Sequence, residues 1–242
     1  MCTVTYLPVV NNQYILTSNR DEDVARPAAI PFKEYKVNNA SIYYPQDPQA
    51  NGTWIAHNPN GYTLCLLNGG YEKHTPKNNY RKSRGLVLLD FFNYNNPKEF
   101  VSNYNFEGIE PFTLLMVYAC TQTQLVQLYE LKWDEKQPTV IAHDGTLPHI
   151  WSSVTLYSTE IVQLRKQWFN EWLHKNENYT PNDILFFHHF GGEGELTNDL
   201  IINRGNKKTV SVSCIHKQVL STEIIYEDIV NQQLQQLKLI SC

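Results

Sequence analysis

Apolar and polar residues alternate with a period of two over many short stretches of the chain. These stretches are rich in β-branched and aromatic residues, and that combination predicts strands with one buried face. They are separated by Asn, Gly and Pro, which favour turns. The predicted strands are 2–7, 14–17, 62–67, 112–119, 124–131, 139–143, 209–216 and 219–226.

Other stretches carry apolar residues three or four positions apart, which predicts helices. Ser158 is placed to cap one of them, and Thr180-Pro181 is typical of a helix start. The tail 231–240 fits either a helix or a strand. Because no linker or repeat interrupts the elements, we predict one α+β domain over residues 1–242. The predicted helices are 83–92, 97–104, 159–174 and 181–190.

Composition excludes several classes of protein. A chain of 242 residues with 42% hydrophobic residues can bury a large core, and it is neither disordered nor fibrous. A net charge of -4 with mixed signs does not indicate the basic surface that nucleic-acid binding requires. The apolar runs are too short to span a membrane, and the start of the chain has no secretory signal. Together with the high Asn and Tyr content, this suggests a bacterial cytoplasmic protein.

The five cysteines occupy different kinds of position. An odd, scattered set without a CxxC pair argues against a disulfide framework or a zinc site. We therefore expect no metal and no cofactor. Cys65, Cys120 and Cys214 lie in apolar strand-like runs and are predicted to be core residues, and Cys242 is expected to be a bystander. Cys2 remains as the candidate for chemistry.

Cys2 becomes the N-terminal residue if Met1 is removed, which a small second side chain permits. A free N-terminal cysteine combines a nucleophile with a base, because its α-amine has a reference pKa of about 7.7–8.0. The alternative is that Cys2 is incidental and Met1 stays. Position alone does not separate the two.

The residues after Cys2 predict a hairpin that brings charges to the chain start. If Asn11-Asn12 forms a two-residue turn, Thr3 faces Arg20 and Cys2 faces Asp21. A carboxylate there would orient the amine, and a guanidinium would favour the thiolate. The alternative is a solvated turn, since charges often lie at strand ends.

With these residues the chain resembles the NRDE family, also called the transport and Golgi organisation 2 family. The tetrapeptide Asn19-Arg20-Asp21-Glu22 together with Cys2 is the most specific feature. The other matching segments follow within about the first 90 residues: Arg26-Pro27, Gly52-Thr53-Trp54-Ile55, Gly61 to Asn68, and Ser83-Arg84-Gly85.

The resemblance implies an N-terminal-nucleophile hydrolase fold, a four-layer αββα sandwich. The chain is also similar, more distantly, to the cysteine hydrolases that cleave bile salts and penicillin V. It implies that Cys2 is the nucleophile, with Arg20 and Asp21 beside it and Asn68 donating to the oxyanion. Ser153 stands where a second asparagine donor is expected, and Arg165 corresponds only loosely to a later arginine.

Two functions remain open. One is an amidohydrolase that cleaves a carbon–nitrogen bond other than a peptide bond in an acylated small molecule, through an acyl-thioester on Cys2. The other is a binding or trafficking protein for haem or for lipid or acyl ligands on the same scaffold. Adjacent histidines on a helix point about 100° apart, so we do not expect His188 and His189 to share a metal, but one of them is a candidate for haem ligation. The oligomeric state is left open.

Overall fold

The computed structural model describes residues 3–10, 12–38, 40–120 and 125–240. Cys2 and Cys242 lie outside the described residues, as does the side chain of Cys120. Four helices are described, α1 (Arg84–Asp90), α2 (Pro97–Asn103), α3 (Thr159–Lys175) and α4 (Pro181–Phe190), and a short 3-10 turn, Phe91–Asn93, follows α1.

The described strands form two antiparallel sheets. Sheet A has the spatial order β10 (His149–Ser152), β1 (Thr3–Val9), β2 (Gln13–Asp23), β11 (Lys207–Lys217), β12 (Ser221–Asp228), β13 (Gln233–Ile240). Sheet B runs in chain order: β3 (Ile30–Val37), β4 (Ala40–Gln46), β5 (Ile55–His57), β6 (Tyr62–Asn68), β7 (Phe112–Cys120), β8 (Leu125–Trp133), β9 (Pro138–His143).

Three apolar clusters hold the layers together. Val4 and Leu16 of sheet A meet Cys65 and Leu115 of sheet B in the central cluster. Apolar residues of α1 and α2 cover the outer face of sheet B, and those of α3 and α4 cover the outer face of sheet A. The layers therefore run helix, sheet, sheet, helix, and the predicted αββα sandwich is confirmed.

Cys65 and Cys214 are buried, as predicted. Cys65 lies between the sheets, and Cys214 lies under the helices of sheet A. Burial raises the pKa of both thiols to about 12. Neither thiol is therefore suited to act as a nucleophile at neutral pH.

Some strands carry little sequence signal and were not predicted, namely β3, β4, β5 and β10. β3 is an edge strand, and it carries a proline and three charged residues among its eight positions. The tail is resolved as a strand. Leu234 and Leu237 are three residues apart, which is also a helical spacing. In the strand, however, Leu237 and Leu239 pack against the central cluster while Leu234 is exposed.

The first hairpin differs from the predicted register by one residue. Val9 pairs with Gln13, so the loop has three residues rather than two, and Asn12 has a positive φ of 63°. Three-residue hairpin loops commonly end in such a left-handed residue, which asparagine tolerates. Thr3 consequently pairs with Asn19, and the prediction that Thr3 faces Arg20 was wrong.

Two glycines bring two separate sequence segments into contact. Gly52 precedes β5, and Gly85 lies in the first turn of α1. A Cβ added at Gly52 would lie 2.6 Å from the Gly85 carbonyl carbon, and one at Gly85 would lie 2.7 Å from the Thr53 oxygen. Only glycine permits this approach of the two backbones. The contact fixes the start of α1 against sheet B.

Candidate active site

The tetrapeptide 19–22 lies in β2 and alternates between the two faces of sheet A. Asn19 and Asp21 point toward the helices, where Asn19 donates to the His188 carbonyl of α4 and Asp21 accepts from Tyr157, just before α3. Arg20 points toward sheet B. A strand places successive side chains on opposite faces, so adjacent charged residues here serve different surroundings.

Arg20 is a buried cation, 4% exposed. Its Nη2 donates to Oδ2 of Asp47 at 2.5 Å and lies 3.8 Å from Oε2 of Glu22. The guanidinium stacks over the Trp54 ring at 4.2 Å. Burial lowers the pKa of Arg20 from its ordinary value, and the two carboxylates oppose that shift. A buried charge of this kind is stable only with such partners.

Asp47 is the residue that joins two arginines, and sequence analysis missed it. Besides Arg20, it accepts hydrogen bonds from Nε of Arg26 at 2.6 Å and Nη2 at 3.2 Å. Its Oδ1 also accepts the backbone N–H groups of Gln49 and Ala50. Burial would raise the pKa of Asp47, but the Arg26 hydrogen bond, the Ala50 N–H and the Arg20 charge outweigh it and lower the pKa. Asp47 therefore remains a carboxylate.

Asp21 lies on the helix side of sheet A and is 3% exposed. The Tyr157 hydroxyl donates to its Oδ2 at 2.7 Å, and the Thr209 hydroxyl donates to its Oδ1 at 2.6 Å. Thr209 pairs with Asp21 across the strands, while Tyr157 comes from the segment between β10 and α3. Both carboxylate oxygens are thus fixed by hydroxyl groups.

Arg165, on α3, is fully buried and reaches the start of β1. Its Nη1 donates to the Thr3 hydroxyl, and its Nη2 donates to the carbonyls of Asn198 and Asp199. Its guanidinium also stacks on the Tyr157 ring at 3.6 Å. Hydrogen bonds and ring contacts therefore connect Thr3 to Asp21 through Arg165 and Tyr157.

Asn68 and Ser153 meet on the other side of β1. The Ser153 hydroxyl donates to the Asn68 carbonyl oxygen at 2.8 Å and also lies 2.9 Å from the Thr155 hydroxyl. Both Asn68 and Ser153 line a cavity of about 430 Å³ that is walled by β8, β10 and α3. A hydroxyl has one hydrogen, so Ser153 as placed here uses it on Asn68 rather than on a ligand.

Strand pairing concentrates the predicted site residues around Thr3. Thr3 pairs with Asn19 in β2 and with Ser152 in β10. Arg20 and Ser153 each follow one of these two partners in the chain. The predicted nucleophile, Cys2, precedes Thr3 and lies outside the described residues.

His188 does not offer a free ligand for haem. It is fully buried on α4, its Nδ1 donates to Oδ1 of Asn19, and its Nε2 lies 2.8 Å from the Thr5 hydroxyl. Burial lowers the pKa of His188 to about 3, so the ring stays neutral. Its neighbour His189 bonds Glu227 instead. Within the described residues, no group of three or more His, Cys, Asp or Glu side chains is placed to hold a metal ion.

The residues that sequence analysis missed share one property. Asp47 and Tyr157 acquire their roles through partners that are distant in the chain, at separations of 27 and 136 residues. Asp47 follows β4 in a Pro-rich turn, which alone indicates only a turn. No local pattern marks either residue.

Comparison with known proteins agrees with this architecture. The sequence model of the family described as Transport and Golgi organisation 2 matches residues 1–222. A search of curated proteins found no match. No helix in the described part of the chain is long and apolar enough to cross a membrane.

Solved structures with the same fold include two hydrolases of low sequence identity. Conjugated bile acid hydrolase from Clostridium perfringens, as a variant with an arginine changed to leucine, superposes with a TM-score of 0.59 at 14% identity. That match covers 98% of this chain and 92% of the other. The N-acylethanolamine-hydrolyzing acid amidase ortholog of Caenorhabditis elegans gives 0.61 at 11% identity, over 88% and 92%.

Proposed function

The chain belongs to the Transport and Golgi organisation 2 family, and on that premise we propose that it is a cysteine amidohydrolase. Cys2, exposed as the N-terminal residue once Met1 is removed, cleaves the acyl amide bond of a small molecule. The chemistry follows from a thiol and an α-amine in one residue. Of the two hydrolases with the same fold, one acts by its name on conjugated bile acids and the other is an amidase of N-acylethanolamines.

The observation that carries the proposal is the convergence of polar groups on Thr3, the residue that follows Cys2. Asn19 and Ser152 pair with Thr3, and Arg165 donates to its hydroxyl. Arg20 and Asp21, both buried, follow Asn19 in the same strand. Such groups cost free energy to bury, and their concentration at one strand end is typical of an active site.

In the proposed reaction, the Cys2 thiol gives its proton to the α-amine and its sulfur bonds to the carbonyl carbon. The oxyanion is stabilised by the Asn68 side-chain amide. The carbon–nitrogen bond then breaks, and the amine leaves with the proton. Water adds to the thioester, the α-amine accepts its proton, and the carbon–sulfur bond breaks to release the acid and the thiol.

In this scheme the remaining residues hold the reacting groups in place. Arg20 favours the thiolate, and Asp21 orients the α-ammonium group. Ser153 positions Asn68 through the carbonyl it bonds. Arg165 fixes the start of β1.

The test uses untagged full-length protein, with intact mass to establish that Met1 is removed. The substrate panel contains conjugated bile acids and N-acylethanolamines, and acyl-thioester is sought by mass after acid quenching. We expect Cys2→Ala to reduce turnover at least about a hundredfold, because the nucleophile is lost. Cys214→Ala is the matched control and should turn over normally, since that thiol is buried. Turnover by folded Cys2→Ala, or Met1 retained in active protein, contradicts the proposal.

A second candidate is an acyl-ligand binding protein without turnover. It is favoured by one observation: the Ser153 hydroxyl hydrogen is directed to the Asn68 backbone carbonyl, so Ser153 does not act as the second oxyanion donor. This candidate predicts stoichiometric binding of acyl ligands that survives Cys2→Ser, with no acyl-thioester at any time.

A further inference from the structure

The cavity beside Asn68 contains a group of charged and aromatic side chains that the proposed reaction does not use. Glu130 and Lys132 come from β8, His143 ends β9, and His149 and Trp151 come from β10. Leu128, two residues before Glu130, packs in the central apolar cluster. Alternation therefore places Glu130 and Lys132 on the inner face of sheet B, where apolar residues are otherwise the rule.

Glu130 is 4% exposed, and two polar groups contact its carboxylate. Nζ of Lys132 lies 3.2 Å from its Oε1, and Nε2 of His143 donates to its Oε2 at 2.8 Å. A buried carboxylate without such partners would be costly. Glu130 therefore fixes the positions of Lys132 and His143 in the cavity wall.

Lys132 keeps capacity for a further partner. An ammonium has three hydrogens, and in the described part of the chain its one ion-pair partner is Oε1 of Glu130. Its Nζ also lies 5.0 Å from the centre of the Tyr71 ring, which holds the side chain in place. Lys166, exposed on α3, adds a second cation to the cavity lining.

The balance of charge in this cavity is positive. Lys132 and Lys166 face a single lining carboxylate, Glu130. Burial lowers the pKa of His149, whose ring stacks on Trp151 at 5.4 Å, so this part of the wall is neutral and flat. The cavity lining therefore combines cationic side chains with an aromatic surface, which suits an amphipathic anion.

We propose that this cavity binds the carboxylate of an acyl-amide ligand, with Lys132 as its main cation and Lys166 as its second. The proposal rests on the proposed function only in placing the amide carbonyl at Asn68. The substrate class is then an acyl amide that carries a carboxylate, rather than a neutral one. Glu130 is a positioning residue for Lys132.

The experiment measures binding without turnover, in full-length Cys2→Ala protein by calorimetry. The probes are N-dodecanoylglycine and N-dodecanoylglycinamide, which have nearly the same shape and differ in charge. We expect the Kd of the carboxylate probe to be at least about tenfold lower, and Lys132→Met to remove most of that preference. Lys132→Arg should keep it. Lys238→Met, an exposed lysine on β13, is the matched control and should change nothing.

Lys166→Met covers the case in which Lys132→Met does not fold, because Lys166 is exposed. It should reduce the preference two- to threefold, in the range of about 0.5 kcal/mol for a solvent-exposed charge. Equal Kd values for the two probes, no binding of either, or a preference that survives both lysine variants would overturn the proposal. These outcomes are distinguishable from a failure of the proposed function, which is judged from turnover, the acyl-thioester and the removal of Met1.

Discussion

Two buried arginines lie on opposite faces of sheet A, and they are held in opposite ways. Arg20, between the sheets, is neutralised by Asp47 and stacks over Trp54. Arg165, under the helices, is held by the Thr3 hydroxyl and by backbone carbonyls. In the described part of the chain no carboxylate forms a salt bridge with Arg165. Arg20 thus belongs to a charge network, whereas Arg165 presents its positive charge to the start of β1.

The difference separates two uses of a buried cation. The positive charge of an arginine paired with carboxylates is partly offset, and its position responds to every partner in the network. An arginine bonded to carbonyls retains its charge, and its removal leaves several backbone groups without partners. We therefore expect loss of Arg165 to lower the free energy of unfolding the most, and we expect changes at Asp47 to alter the position and charge balance of Arg20.

The largest effect is expected for Arg165→Met. The carbonyls of Asn198 and Asp199 and the Thr3 hydroxyl lose their donor, and each unsatisfied buried group costs about 1–3 kcal/mol. The free energy of unfolding, measured with urea, should fall by about 3–5 kcal/mol. Arg165→Lys should lose less, because it keeps the charge and one donor. A decrease in the free energy of unfolding below about 1 kcal/mol would contradict the idea that the bonds to backbone carbonyls make Arg165 important for stability.

A smaller effect, with a clear pH dependence, is expected for Asp47→Asn. Loss of the carboxylate leaves Arg20 with Glu22 alone, and we expect a decrease of about 2–3 kcal/mol at pH 7. Because the folded pKa of Asp47 is lowered, its contribution is present above its unfolded pKa of about 3.9 and is lost as the pH falls through the folded value.

Urea unfolding of parent and Asp47→Asn between pH 7 and pH 2 measures this dependence. The two curves should converge below about pH 4. Glu34→Gln is the control, since Glu34 is an exposed residue on β3 paired with Lys36. A constant difference down to pH 2 would show that the charge of Asp47 does not hold the network.

The smallest effect is expected for Tyr157→Phe. The ring beneath Arg165 remains, but Asp21 loses one hydrogen bond, and a bond to a charged group contributes about 1.5–3 kcal/mol. We expect about 1.5 kcal/mol, because the Thr209 hydroxyl still donates to the carboxylate. Thr209→Val removes the other hydroxyl partner and should have a similar effect on urea unfolding. If Tyr157→Phe lowers the free energy of unfolding as much as Arg165→Met, then loss of the hydroxyl also disturbs the contact between the ring and Arg165.

Much of the fold could be predicted from the sequence because it depends on local periodicity. The helix starts at Ser158 and Thr180 are resolved with capping hydrogen bonds. The layer order followed from the resemblance. The hairpin register could not be obtained, since a three-residue loop and a two-residue loop use the same asparagines.

The candidate site could be predicted only in part. The family resemblance was enough to identify four site residues, namely Arg20, Asp21, Asn68 and Ser153. Whether they act with Cys2 stays a prediction. Asp47, Tyr157 and the Glu130 group depend on contacts across sheets and layers. Tertiary contacts of this kind leave no periodic trace in the chain.

The irregularity in β11 has a consequence for how that strand's sequence encodes its two faces. Thr209 pairs with Asp21 and Ser211 pairs with Arg20, so Val210 is an extra residue, and its carbonyl accepts the Ile229 N–H. Odd-numbered positions therefore face the helices up to 209 and sheet B from 211 onward. This change of phase lets one strand serve Asp21 on one side and the central core on the other. Because Val210 is the extra residue, deleting it would leave Thr209 opposite Asp21 and Ser211 opposite Arg20. Deleting a residue elsewhere in β11 would instead exchange the two faces on one side of the deletion.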